Sequence, residues 1–294
     1  MKKLVTHSGK FHADDVFATA VLKKVFGEVE VVRSRDAEVI AAGDIVYDVG
    51  REYNPETKRF DHHQSKGAGK RENGIPYASF GLVWMTYGFD LCGNQEIVDD
   101  IDRRLVQPID AIDNGVSISE STECGLYDYG IHGIVSAYQC TWKEAGETEK
   151  QYRNFMDLVS FFSDVLKREI EKAHHRLEMV ELIEDIYTKA QRKDILEVPY
   201  HVTIGSLMQV LESHKEVQFV ICKSNTNWKA LALRKEACSF ENRTSLPEAW
   251  AGKRNEELQE ISGVDDALFC HNALFMAVAK SKEGAWKLAE QAVR

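Results

Sequence analysis

Three short apolar runs near the start of the chain each end in acid or imidazole. Lys3 to Thr6 runs into THSGKFHADD, Asp44 to Tyr47 ends at Asp48-Val49-Gly50, and Arg59 to His62 carries the triplet Asp61-His62-His63. Between them Ala13 to Val25 has helical periodicity, with Val16, Ala20 and Val21 on one side, and Glu30 to Arg33 reads as another strand. Strands alternating with helices predict a mostly parallel sheet covered by helices. In such a sheet ligands bind beyond the carboxyl ends of the strands, so clusters far apart in sequence converge on one spot.

The rest of the chain extends this α/β reading. Gly67 to Gly74 is a flexible connection; Ala78 to Tyr87 and Glu96 to Ile112 read as helices, the second kinked or interrupted by Pro108. Gln151 to about Ala190 is a long charged helix whose apolar stripe is Phe155, Leu158, Phe162, Val165 and Leu166. Val217 to Cys222 and Trp228 to Leu233 read as strands joined by a turn, and Glu283 to Val293 as the last helix. The expected organisation is an N-terminal domain of residues 1–190, with a mostly parallel sheet, helices on both faces and the long helix as connector. A smaller α/β C-terminal domain follows, residues 191–294.

The converging clusters offer His7, His12, Asp14, Asp15, Asp48, Asp61, His62 and His63, and PIDAIDNG adds Asp110 and Asp113 three apart on a helical turn. Any one aspartate at a strand end could be a helix cap, Asp15 especially; the set together is harder to explain as packing. Nitrogen and oxygen donors without thiolate suit Mn²⁺, Mg²⁺, Fe²⁺ or Zn²⁺ in a reactive site rather than a structural zinc site. There are more donors than one ion needs, and two ions bridged by a carboxylate would use them. On a strand, His62 and His63 would face opposite ways. The other pair, His174-His175, lies in the charged helix without an acidic cluster and reads as solvated surface.

Composition narrows the function. The net charge of -10 argues against wrapping duplex nucleic acid. Lys223 to Arg254, however, holds seven Lys or Arg against three Glu, a local +4 in a chain otherwise at -14. The six cysteines show no Cys-x-x-Cys spacing, His7 cuts off the apolar run after the N-terminal lysines, and no apolar run approaches membrane-spanning length. A cytoplasmic, reduced protein is expected.

DHH with an upstream His-and-Asp cluster, an isolated strand-end Asp and a downstream Asp resembles the DHH phosphoesterase superfamily. THSGKFHADD, YDVGREYNPETKRFDHHQ and DAIDNG, with SFENRTSLPEAWAG and FCHNALFMAVAKSKEGA, look like its Myg exonuclease branch over nearly the whole chain. The resemblance implies one ion held by His7, His12 and Asp48, and another by Asp14, Asp48, His62 and Asp113 or Asp110, with Asp48 as bridge. It implies that His63 meets the substrate phosphate and that Asp61 orients a metal-binding histidine. It further implies that Arg243 and His271 of a basic C-terminal domain grip the substrate. The chain departs from the pattern at His12, where many members have aspartate, and at Met276 to Ala279, where a glycine-rich run is usual. The implied activity is hydrolysis of single-stranded RNA from its 3′ end by water activated between two ions, with Mn²⁺ the expected metal and Mg²⁺ the alternative. Two other readings stay open: a phosphoesterase for short oligonucleotides, cyclic dinucleotides or pyrophosphate, and a non-catalytic, metal-dependent regulatory protein. A homo-oligomer is also allowed.

Overall fold

The computed structural model describes residues 1–118 and 129–293, in two compact units that divide at His174 and His175. The first unit is built on a five-stranded sheet: β1 (Lys2–Thr6), β2 (Val29–Arg33), β3 (Ile45–Tyr47), β4 (Tyr53–Asn54) and β5 (Arg59–Phe60) in the order β2-β1-β3-β5-β4. Only β4 runs antiparallel to its neighbour. The helices of this unit are α1 (Ala13–Phe26), α2 (Ala37–Ala41), α3 (Ser79–Cys92), α4 (Gln95–Ile101), α5 (Gln107–Asp113) and α6 (Ile131–Ala137), followed by α7 (Thr148–Lys189), which runs on past the division.

Alternation along the strands sends side chains to both faces. Val5 and Val46 pack on one side with Val39 and Ile40 of α2, while Tyr47 reaches α1 on the other through a hydroxyl contact with Thr19 at 2.6 Å. Helix α1 is buried from Ala13 to Leu22 and ends at Gly27, whose φ of +72 a side chain would strain. The expected stripe of α7 is real: Phe155, Leu158, Val159, Phe162 and Leu166 are buried and Val165 half-buried.

The second unit has β6 (Ile195–Val198), β7 (Phe219–Ser224), β8 (Asn227–Ala232), β9 (Ala267–Cys270) and β10 (Met276–Ala279), with α8 (Ile204–Leu211), α9 (Asn255–Ser262) and α10 (Lys282–Val293). Its sheet order is β6-β7-β8-β10-β9, antiparallel except for β6 with β7. VQFVIC reads as a continuous apolar run because both faces are covered. Phe219 and Ile221 join Leu258 and Leu288 on one side, and Val220 and Cys222 join Leu207 and Ile183 on the other.

One expectation needs correction. Strand β5 stops at Phe60, so Asp61, His62 and His63 lie in the loop beyond it, and strand alternation is not what separates the two histidines. The interruption expected of Pro108 in the segment 96–112 takes the form of a π-helix over Asp102–Val106, in which Gln107 N donates to Asp102 O and which joins α4 to α5. The wide turn accommodates Pro108, which has no N–H for the carbonyl four residues back.

Candidate metal centre

The site forms where β1, β3 and β5 end and where three helices present their ends. His7 follows β1, while His12 is the N-cap of α1 and places Asp14 and Asp15 in its first turn. Asp48 follows β3 with φ at +54, a left-handed conformation costing a non-glycine residue about 1 kcal/mol or more. Asp113 is the last residue of α5.

These residues make three overlapping groups whose ligand atoms lie within 4.8 Å of one another: His7, His12 and Asp48; Asp48, His62 and His63; and Asp14, His62 and Asp113. Asp48 divides its two oxygens between them. Oδ2 is 3.1 Å from His7 Nε2, and Oδ1 is 3.4 Å from His62 Nε2. Asp113 faces His62 Nε2 at 3.3 Å and His12 Nδ1 at 3.8 Å. His62 Nε2 is buried without an aligned hydrogen bond, although carboxylate oxygens flank it. A buried imidazole nitrogen among carboxylates takes either a proton or a metal, and this donor set, free of thiolate, fits divalent cations that accept nitrogen and oxygen ligands.

The electrostatics have the same origin. Burial works against a charged His62, yet Asp113 and Asp48 lift the ring to about 11. Burial likewise opposes a charged His7, and Asp48 and Asp15 overcome it. Asp14, fully buried and close to Asp48 and Asp113, is raised well above the usual carboxylate range. Burial would raise Asp48 too, but its contacts with His62 and His7 hold it below that range.

A ring of supporting groups surrounds the donors. The N-terminal turn of α3 supplies backbone amides: Ser79 N and Phe80 N donate to Asp14 at 3.1 and 2.6 Å, and Gly81 N donates to Asp110 at 3.0 Å. The Ser79 hydroxyl lies 3.5 Å from Asp48 Oδ1. Asp15 accepts from His12 N at 2.8 Å and faces His7 Nε2 at 3.3 Å, with Arg33 at 3.7 Å behind it, so the expected cap also braces both histidines. Asp61 Oδ1 lies 2.7 Å from His63 Nδ1, which makes His63, not His62, the ring that Asp61 orients. His63 is 56% exposed and His62 is 7% exposed at their side chains.

Asp110 stands apart from the three groups. It is fully buried, and Arg71 Nη1 donates to it at 2.8 Å. Arg71, expected in a flexible loop, has a side chain only 7% exposed, while Lys66 and Lys70 are exposed. In the second unit Arg243 gives its guanidinium to carbonyls of Leu211, Glu212, His214, Val217 and Arg234, which occupies all five N–H groups. His271 Nδ1 accepts from Ala273 N at 3.0 Å, and its ring lies 4.4 Å from that of Phe275.

Sequence reasoning passed over Ser79, Gly81 and Arg33. Backbone donors have no side-chain signature; a serine and a glycine opening a helix after an extended run were the only trace. Cys124 lies outside the described residues, and Cys92, Cys140, Cys222, Cys238 and Cys270 are free thiols. No described helix is long and apolar enough to cross a membrane.

A family model named MYG1_exonuc, described as "Uncharacterised protein family (UPF0160)", matches residues 3–293. "MYG1 exonuclease" of Mus musculus is 31% identical over 98% of this chain and 83% of its own length. The Homo sapiens protein of that name is 30% identical over 98% and 84%. A "MYG1 protein" of Dictyostelium discoideum is 32% identical over 97% and 94%. Among solved structures, RecJ of Thermus thermophilus in complex with Mg²⁺ spans all of this chain and half of its own, at 12% identity and a TM-score of 0.28, a likeness too slight to carry an argument.

Proposed function

This chain belongs to the MYG1 exonuclease family, and from that premise we propose that it is a metal-dependent phosphodiester hydrolase, shortening single-stranded RNA from the 3′ end in a cytoplasmic setting. The observation that carries the reading is the division of Asp48, one oxygen toward His7 and the other toward His62. His7, His12 and Asp48 would hold one divalent ion, and Asp14, Asp48, His62 and Asp113 the other. Mn²⁺, or Mg²⁺ in its place, would supply Lewis-acid activation of water and neutralise charge on the phosphate.

The chain's own groups do the rest. His63 Nδ1–H donates to Asp61 Oδ1, which leaves Nε2 of an exposed ring for a phosphate oxygen. The same contact raises the pKa of His63 against the pull of burial and favours the charged ring that an anionic substrate prefers. Asp61 itself is anchored by Arg51 N, so the imidazole is aimed before substrate arrives. Asp15 and the α3 amides fix the donor carboxylates, as supporting groups do at metal sites.

Purified protein with Mn²⁺ and 5′-labelled single-stranded RNA should give a ladder of shortened products. The Asp48→Ala variant should lose about a hundredfold to a thousandfold in rate, the scale on which removing a principal electrostatic group acts. Shortening that survives Asp48→Ala would reject the reading. A second reading, a phosphoesterase for short oligonucleotides or dinucleotides, gains support from Arg243, whose donors are spent on backbone carbonyls rather than on a long substrate. Turnover of dinucleotides without shortening of longer RNA would decide for it.

A further inference from the structure

The candidate donor Asp113 ends helix α5. Helix α5 has seven residues and continues from α4 through the π-helix, so its direction depends on how that wide turn is held. Asp110 and Asp113 are three residues apart and share a side of α5. Asp113 turns toward His62 and His12, and Asp110 toward Arg71.

Arg71 holds both sides of the π-helix. Nε and Nη2 donate to Asp102 at 3.1 and 2.7 Å in a two-pronged pair, while Nη1 donates to Asp110 at 2.8 Å. Asp102 opens the wide turn and Asp110 lies in the helix after it. The network is closed around them: Gln107 donates to Asp102 at 2.7 Å, and Asn73 to Gln107 at 2.8 Å. Gly81 N caps the other Asp110 oxygen, and a Cβ at Gly81 would stand 1.9 Å from Asp110 Oδ2.

The loop that carries Arg71 is itself fixed. Arg71 N donates to Ile75 O, Tyr77 N donates to Gly69 O, and the guanidinium lies 4.2 Å from the Tyr77 ring centroid. This loop follows directly on Asp61-His62-His63, so one guanidinium ties the segment bearing His62 to the helix bearing Asp113.

We propose that Arg71 is a positioning residue: gripping Asp102 and Asp110 across the π-helix, it sets the Asp113 carboxylate opposite His62 and thereby builds the second cation position. The proposal rests on the metal-centre reading above. The rigid planar fork holds Asp102 with two parallel donors while a third reaches Asp110, and a lysine ammonium keeps the charge without that fixed geometry.

Arg71→Lys is therefore the primary test. Mn²⁺ is titrated into the metal-free full-length protein, with affinities from equilibrium dialysis and spin coupling between neighbouring ions from electron paramagnetic resonance. The parent should bind two Mn²⁺ with a coupled spectrum. Arg71→Lys should melt close to the parent and hold the first ion normally, but bind the second about tenfold to a hundredfold more weakly, with the coupled signal reduced. A parent-like second affinity and spectrum in Arg71→Lys would overturn the proposal. Should that variant fail to fold, the pair Arg71→Met with Asp110→Asn, which removes both buried charges, takes its place with the same expected and overturning results. A parent that binds a single ion rejects the two-ion reading itself, and the proposal with it. The readout is independent of nuclease activity, so a wrong substrate assignment leaves the test intact.

Discussion

Asp48 illustrates what single residues do here: the backbone takes on a left-handed turn, and its two oxygens then face two groups of candidate ligands. Sequence made this residue and the histidines visible because few patterns place acid and imidazole at three strand ends in succession. Their braces were not visible, since Ser79 and Phe80 act through backbone N–H groups. Gly81 is a sharp case. Alanine normally stabilises a helix relative to glycine, but here its methyl would enter the Asp110 carboxylate, so Gly81→Ala should cost about 1–3 kcal/mol in urea denaturation. The titrating groups give a pH prediction. His62 is lifted to about 11 and Asp14 is also raised, so the folded metal-free chain binds these protons more tightly than the unfolded one. The His62 contribution is complete below the unfolded imidazole value of 6.5 and is lost as pH climbs toward about 11. In chelator, the melting temperature should therefore fall from pH 7 to pH 10. With saturating Mn²⁺ that decline should largely disappear, because the bound ion displaces those protons.

At the scale of elements, the alternation of strands and helices was legible to within a residue or two for β1, α1, β2 and β3, where apolar runs are cleanly bounded. The DHH segment misled because β5 is only two residues long; its histidines lie in the loop after it, where Asp61 holds the His63 ring outward. The π-helix was foreshadowed by Pro108, which signals a break without saying how the chain passes through it. Arg243 shows the opposite trap. A basic residue in a basic segment suggests a phosphate ligand, yet this one collects carbonyls from the end of α8 and the following turn. Arg243→Met should accordingly destabilise the protein by about 2–3 kcal/mol through acceptors left unmatched, with Mn²⁺ affinity unchanged. A large loss of RNA affinity without loss of stability would contradict this.

For the molecule as a whole, all the candidate donors lie in the first compact unit. Mn²⁺ at about a hundred times its dissociation constant should stabilise that unit by about 2.7 kcal/mol for each ion bound. Hydrogen exchange should then slow at the ends of β1 and β3 and in α5, and stay unchanged in β7 and β8. One further consequence follows from the supporting ring. Asp14, Asp15, Asp48, Asp61, Asp110 and Asp113 crowd together with Arg33 and Arg71 as the guanidiniums among them. Counted with Asp102, the other partner of Arg71, seven carboxylates face two guanidiniums, a formal excess of five negative charges, of which two divalent ions would offset four. Much of the formal net charge of -10 is therefore interior and not surface charge. In alkaline buffer, capillary electrophoresis should show the loaded protein migrating toward the anode more slowly than the chelated one, by up to four charges. The face presented to a polyanion is correspondingly milder than the amino-acid count suggests.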